Sequence, residues 1–276
     1  MKYPANEVNI RSASSDRYTV VDVSQGYEEM ETVEASVAFF QIHPGAIYLH
    51  QGEAYLVDKL DIPSRTAYAR PIDASYYTQT KDITDLSITK VNTEIQIRGV
   101  RVELGEVSVT TTVLGFKKRR QLTEEVIGEE SLDLPSQTFP TIALWFDIPQ
   151  HIITQLINRG LDLAGGIHAT EHAAIALLPL FALCDRNDIG GLSTPAHADT
   201  GSAQIFIYDA YPGGIGIAEK GFEMIDELWR VTLQAISGCP CESGCPSCIQ
   251  SPKCGNNNEP LDKGAAQLIL EALLAG

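Results

Sequence analysis

Apolar and polar residues alternate through much of the first half of the chain. The stretches "YTVVDV" (Tyr18 to Val23), "VAFFQI" (Val37 to Ile42), "AIYLHQGEAYLVDKL" (Ala46 to Leu60) and "EIQIRGVRVELGEVSVTTTVLGFKK" (Glu94 to Lys118) are rich in β-branched and aromatic residues with a period near two. That period puts one set of side chains on each face of a strand. Gly45, Gly52, Gly99, Gly105 and Gly115 punctuate them. The pattern predicts a β-rich part over residues 1–135, an antiparallel sheet or small barrel. The texture changes across "GEESLDLPSQTFP" (Gly128 to Pro140), the expected seam.

Residues 136–276 read differently. "IPQHIITQLINRG" (Ile148 to Gly160) has proline near its first turn and ends in glycine, the punctuation of a short helix. "HATEHAAIALLPLFALC" (His168 to Cys184) predicts a helix buried on most sides, and Cys184 at its end a buried core residue. "AQIFIYD" (Ala203 to Asp209) predicts a buried strand, and "AYPGGIGIA" (Ala210 to Ala218) a glycine-rich turn. "EKGFEMIDELWRVTLQAI" (Glu219 to Ile236) predicts one amphipathic helix and "DKGAAQLILEALL" (Asp262 to Leu274) a closing one. The fold class is α+β: a β-rich first half, then an α/β half carrying a cysteine loop.

Composition narrows the class. Of 276 residues 44% are hydrophobic and 20% charged, the balance of a globular chain with a full core. No apolar run reaches membrane-spanning length, and "MKYPANEVNIRSASSDRY" lacks the apolar centre of a signal peptide. It reads as the middle of a longer protein. The expectation is a cytoplasmic monomer with no membrane partner. The formal net charge of −16 repels nucleic acid wherever no local basic patch outweighs it.

Five of the six cysteines fall between Cys239 and Cys254. Disulfides mainly serve exported chains that lack a core. Metal ligation instead needs thiolates at turn spacings. Cys245-Pro-Ser-Cys248 is a zinc-knuckle spacing; three residues separate Cys241 from Cys245 and five separate Cys248 from Cys254. Gly244, Pro246, Pro252 and Gly255 supply tight turns. The expected ligands of one structural zinc are Cys241, Cys245, Cys248 and Cys254, with four thiolates leaving no open position for catalysis. Cys239 is close enough to replace Cys241, but Cys241 is favoured.

Three other features carry possible chemistry. His168-Ala-Thr-Glu171-His172 has the H-x-x-E-H spacing, so two imidazoles on one helix face would grip a metal while Glu171 activates water. This is the alternative reading, a zinc-dependent hydrolase. It needs a third protein ligand that the motif does not show. The glycine-rich turn before Ile217 would cradle phosphate at a helix start, yet Glu219 stands where the dinucleotide fingerprint wants glycine and the chain contains no Walker A Gly-Lys pair. A turn that needs glycine backbone is the simpler reading. Lys117, Lys118, Arg119 and Arg120 form a basic run at the end of a predicted strand, a candidate DNA contact set against the simpler reading of a solvated turn.

The tail "CPCESGCPSCIQSPKCGNNNEPLDKGAAQLIL" resembles the C-terminal zinc-binding (MZB) domain of the mitomycin repair factor A helicases of YprA type and their fungal RecQ-related relatives. "HPGAIYLHQGEAYLV", "YYTQT", "LGFKKRR", "HATEHAAIALLPLFALCDRNDIGG" and "IFIYDAYPGGIGIAEKGF" extend the resemblance over about Pro44 to Leu270. It implies the accessory region of an ATP-dependent 3′ to 5′ superfamily 2 DNA helicase involved in repair. The chain lacks the motor's ATP-binding motifs, so no ATP hydrolysis is expected of it. The implied partners are the motor domains of the same polypeptide and single-stranded DNA, bound weakly by the isolated chain. The zinc ligands carry over onto Cys241, Cys245, Cys248 and Cys254. Lys117 to Arg120 are the candidate backbone contact, with Tyr76 and Tyr77 as candidate stacking platforms.

Overall fold

The structure, a computed structural model, describes residues 16–276; the reading of the polar start therefore lies mostly outside the described residues. The elements run β1 (Arg17–Asp22), β2 (Glu28–Glu34), α1 (Ala35–Gln41), β3 (Ile47–His50), β4 (Glu53–Asp61), β5 (Thr66–Pro71), β6 (Tyr76–Ile97), β7 (Val100–Arg120), β8 (Val126–Ser131) and β9 (Gln137–Asp147). Then follow α2 (Gln150–Asn158), α3 (Leu163–Leu177), α4 (Pro179–Ala182), β10 (Ile189–Thr194), β11 (Gln204–Asp209), α5 (Ile217–Glu223), α6 (Ile225–Gly238) and α7 (Lys263–Ala275). The fold is α+β, with the β-rich part first.

Two compact units divide the chain, and not at residue 135. Among the described residues, one comprises those up to Ile83 with Thr111–Gln137; the other comprises Thr84–Thr110 with Thr138–Gly276. The long strands β6 and β7 contribute to both. A change of texture marks only the crossing near Gln137; the crossings inside β6 and β7 fall within continuous strands, where no turn announces them.

The first unit holds a sheet of order β2-β1-β5-β4-β3, an open strand order rather than a barrel. Its pairs are antiparallel except β1 with β5, where Thr19 faces Thr66 in parallel register. "VAFFQI" is helix α1, not strand: Ala38, Phe39 and Ile42 fall on one buried helical face. A short apolar run does not distinguish the two by period. Phe116 on β7 is fully buried against His43 in this unit, with ring centroids 4.6 Å apart. Gly45 admits that ring: at φ +83°, any Cβ would lie 2.7 Å from Phe116 Cζ.

In the second unit the strand order is β10-β11-β9-β7-β6. Leu144 and Phe146 of β9 join one buried cluster with the helices, while Ala143 and Trp145 join another with Val107, Val109 and Phe206. Both faces are covered, so β9 and β11 read as unbroken apolar runs. All six residues of β11 are buried. The expected amphipathic helix from Glu219 is two helices, α5 and α6, parted at Met224, a break the periodicity does not announce.

Helix α3 is the centre of this unit, packed on α6, α7, β10 and β11. It starts at Leu163, five residues before the expected start. Asp162 caps it by accepting from the amides of Ala164 and Gly165. Gly165 and Gly166 hid that start, since glycine is a poor helix former. Packing explains Gly166: a Cβ there would lie 2.6 Å from Ala265 Cβ and 3.1 Å from Ile269 Cδ1 of α7. Gly166→Val should push the helices apart and cost about 1–3 kcal/mol. The denaturant midpoint of the purified chain measures this; an unchanged midpoint would contradict the close packing.

Candidate metal centre

The loop from Cys239 to Asp262 joins α6 to α7. Ile249, 1% exposed, anchors its middle in the core. Gly244 at φ +111° makes the turn before the knuckle, where a Cβ would meet Ile249 Cδ1 at 2.4 Å. The carbonyl of Cys245 then accepts from the amides of Cys248, Ile249 and Gln250, and the Cys245 amide donates to Cys248 Sγ at 3.3 Å. These bonds fold the knuckle before any metal is considered.

Four sulfurs converge: those of Cys239, Cys241, Cys245 and Cys248 all lie within 4.8 Å of one another. The separations are 3.6 Å for Cys239 to Cys241, 3.5 Å for Cys239 to Cys245, 3.5 Å for Cys241 to Cys248 and 3.8 Å for Cys245 to Cys248. A tetrahedron with zinc–sulfur bonds of ~2.3 Å has edges of about 3.8 Å. The quartet fits one closed, structural zinc site.

Membership differs from the expected set by one residue. Cys239 and Cys241 both belong, and Cys254 lies elsewhere. The reason is the turn after Ile249. Asn258 Oδ1 accepts from the Ser251 amide at 2.7 Å while its Nδ2 donates to the Ser251 carbonyl at 3.0 Å, closing residues 251–258 into a separate turn. The Asn258 amide donates to Cys254 Sγ at 3.2 Å, and that sulfur lies 3.5 Å from His168 Nε2. Spacing alone does not reveal which side of a buried anchor a cysteine falls on.

Lys263 was not among the expected site residues. It is 9% exposed, and its Nζ donates to the carbonyls of Cys239 at 2.8 Å and Cys241 at 2.6 Å and lies 3.4 Å from Cys241 Sγ. Its signal in the sequence is an oddity: a cation opening a helix, where the dipole disfavours positive charge. Burial opposes ionisation of Cys241, but hydrogen bonds from Cys248, Cys239, Cys245 and Lys263 outweigh it and bring that thiol down to about 6. Burial pushes Cys248 up to about 12. Thiols so placed share charge unequally until a cation joins them, which is the role of zinc.

The histidine motif lies on α3, facing the same loop. His168 Nδ1 is 2.8 Å from the Pro260 carbonyl, His172 Nδ1 is 3.0 Å from the Ile249 carbonyl, and the ring centroids are 4.2 Å apart. Burial lowers both imidazoles' pKa, that of His172 to about 4 with the charge of His168 adding to it, so both are neutral at pH 7. Glu171 is packed against β10 instead: a Cβ on Gly191 would lie 2.6 Å from its Oε1. Burial raises its carboxyl to about 7 against the opposing pull of Ser193 and Lys253.

The glycine-rich turn already holds an anion. The carboxylate of Asp209, fully buried, accepts from the amides of Ile215 at 2.5 Å, Gly216 at 2.9 Å, Ile217 at 3.3 Å and Ala218 at 2.7 Å. It occupies the amide nest that a phosphate would need. Gly214, at φ +77°, keeps a Cβ off Ile142. The turn is structural.

The basic run ends β7 and is matched by acids of the same unit. Lys117 and Lys118 lie 3.9 and 2.5 Å from Glu129 and Glu130 on β8. Arg119 donates to Gln79 Oε1 and the Glu124 carbonyl, and Arg120 is 3.4 Å from Glu125. Lys118 Nζ also stands 5.7 Å over the Tyr76 ring. Cys184, expected in the core, is half-buried two residues beyond α4.

A closed four-thiolate site between two core helices defines a structural zinc module. The sequence profile of the MrfA Zn-binding domain family (MZB) matches residues 170–249, which hold the whole quartet and stop short of Cys254. The helicase YprA of Bacillus subtilis is 34% identical over 256 residues, 90% of this chain and 33% of its own length. An uncharacterised protein of Methanocaldococcus jannaschii is 43% identical over 112 residues, 40% of this chain and all of its own. A crystal structure of the helicase MrfA bound to DNA superimposes with a TM-score of 0.62 at 30% identity, covering 98% of this chain and 36% of that one. The chain belongs to the MrfA Zn-binding family and spans about a third of the helicases it matches.

Two outcomes follow from this geometry. Lys263→Met should weaken zinc retention about 10- to 100-fold, read by competition with a chromogenic chelator; unchanged retention would remove Lys263 from the site. Asp209→Ala removes the acceptor of four amides, two of them in the buried residues Ile217 and Ala218, and should cost about 3 kcal/mol, read as a lower denaturant midpoint.

Proposed function

We propose that this chain is the zinc-binding accessory region of an ATP-dependent DNA helicase acting in DNA repair, and that it is not itself an enzyme. The observation that carries the reading is the closed cysteine quartet, inside the segment that matches the family. Likeness to a DNA-bound helicase over nearly the whole chain supports it. Zinc ties the end of α6 to the knuckle, and Lys263 ties the same loop to α7, so the metal's binding energy becomes folding energy of this corner. The outer surfaces are then free to pack on motor domains and to help guide single-stranded DNA 3′ to 5′.

For the DNA contact, Lys117, Lys118, Arg119 and Arg120 are the candidate residues, with Tyr76, over whose ring Lys118 stands, and Tyr77 as candidate stacking platforms. Phosphate would have to displace Glu125, Glu129 and Glu130 from these cations, and the net charge of −16 opposes approach. Contact by the isolated chain is therefore weak and salt-sensitive. The hydrolase reading lacks its base: Glu171 is spent on β10, away from the cluster of His168, His172 and Cys254.

The test uses the chain as purified. Fluorescence anisotropy with a single-stranded oligonucleotide should show weak binding that fades with added salt, reduced several-fold further by Lys118→Glu with Arg120→Glu. ATP turnover should be absent. Tight, salt-insensitive DNA binding or ATP turnover by this chain would overturn the proposal.

A further inference from the structure

The fifth cysteine of the loop has a place of its own. Cys254 Sγ, His168 Nε2 and one nitrogen of His172 lie within 4.8 Å of one another, outside the quartet. The His168 Nε2 to Cys254 Sγ distance is 3.5 Å. A tetrahedral zinc bound by one imidazole and one thiolate has that edge at about 3.6 Å. The spacing of four along α3 puts both imidazoles on one helix face.

The ring orientations are fixed in the sense that metal ligation requires. A backbone carbonyl only accepts, so the Nδ1 facing Pro260 O and the Nδ1 facing Ile249 O each carry the hydrogen. Both Nε2 atoms are left with bare lone pairs. Carbonyl-oriented histidines of this kind are the usual outer support of a zinc site. On the other side the Asn258 amide donates to Cys254 Sγ, a bond that favours the thiolate. That turn is itself closed by Asn258 on Ser251. The two orienting carbonyls come from the cysteine loop and the imidazoles from α3, so the cluster is built across two separate pieces of chain.

We infer that His168, His172 and Cys254 form a second zinc site, distinct from the cysteine quartet. Two imidazoles and a thiolate suit zinc and exclude magnesium and calcium, which want oxygen ligands. Three protein ligands leave the fourth position to water or to an exogenous donor. The site clamps α3 to the turn before α7, whereas the quartet clamps the turn after α6. The inference stands on these residues alone and does not depend on the helicase reading.

The experiment is zinc content by elemental analysis, after dialysis, of the parent chain and of Cys254→Ser, His168→Ala and Cys245→Ser. The parent should hold about two zinc ions per chain. Cys254→Ser and His168→Ala should each lose one and keep the other; Cys245→Ser should lose the other. Reloaded with cobalt(II), Cys254→Ser should show thiolate-to-metal charge transfer reduced by about one fifth, one Co–S bond of five. Cys254→His, which exchanges one ligand for another, should keep both metals. A parent with one zinc per chain, kept in Cys254→Ser and lost in Cys245→Ser, overturns the second site and leaves the quartet intact. The parent's count decides even if a variant fails to fold. Loss of metal from Cys254→Ser alone, with the quartet variant unaffected, would instead strike at the quartet.

Discussion

Gly166 lets α3 lie against α7 so closely that the small side chain of Ala265 fills the gap between them. Much of the second unit depends on that approach. It brings the two helix starts together, where Asp262 accepts from the Asp162 amide while each aspartate caps its own helix. With α7 fixed there, Lys263 falls beneath the carbonyls of Cys239 and Cys241. With α3 fixed there, His168 meets the carbonyl of Pro260. One helix contact thus fixes both the lysine under the cysteine carbonyls and the histidine that meets the far end of the loop.

Charge in this acidic chain is satisfied locally. Lys263 sits against thiols, Lys253 donates to the carbonyls of Arg186 and Ile189, and the run Lys117 to Arg120 is engaged by nearby acceptors. Asp209 does the same for four amides. Buried or half-buried ions need such partners because desolvation costs more than a solvated charge gains. Sequence motifs that suggest an external ligand, a glycine-rich turn or a basic run, are here largely consumed by the protein itself.

Much of the fold was legible because periodicity reports burial. The alternation in β1 and β4 and the helical spacing in α2 and α7 each answer to a single covered face or stripe. What failed did so where burial loses its period. "VAFFQI" is too short to separate strand from helix. The start of α3 is disguised by two glycines whose reason is a neighbour distant in sequence. The division into units passes through the middle of two continuous strands, where no turn or linker marks it.

The candidate site shows the same limit more sharply. A knuckle of two cysteines at close spacing is a local object, folded by the amides of Cys245 to Gln250, and its spacing is enough to find it. Assignment of the remaining thiols is not local. Ile249 anchors the loop in the core, so chain before it and chain after it leave in different directions. Cys239 and Cys241 come from the helix side and close on the knuckle. Cys254, although separated from Cys248 by only five residues, is turned by the Ser251 to Asn258 bonds toward α3. Five thiols in sixteen residues therefore do not crowd one centre. A buried isoleucine parts them, and the histidine motif, which lacked a third partner in the sequence, meets one in the fifth.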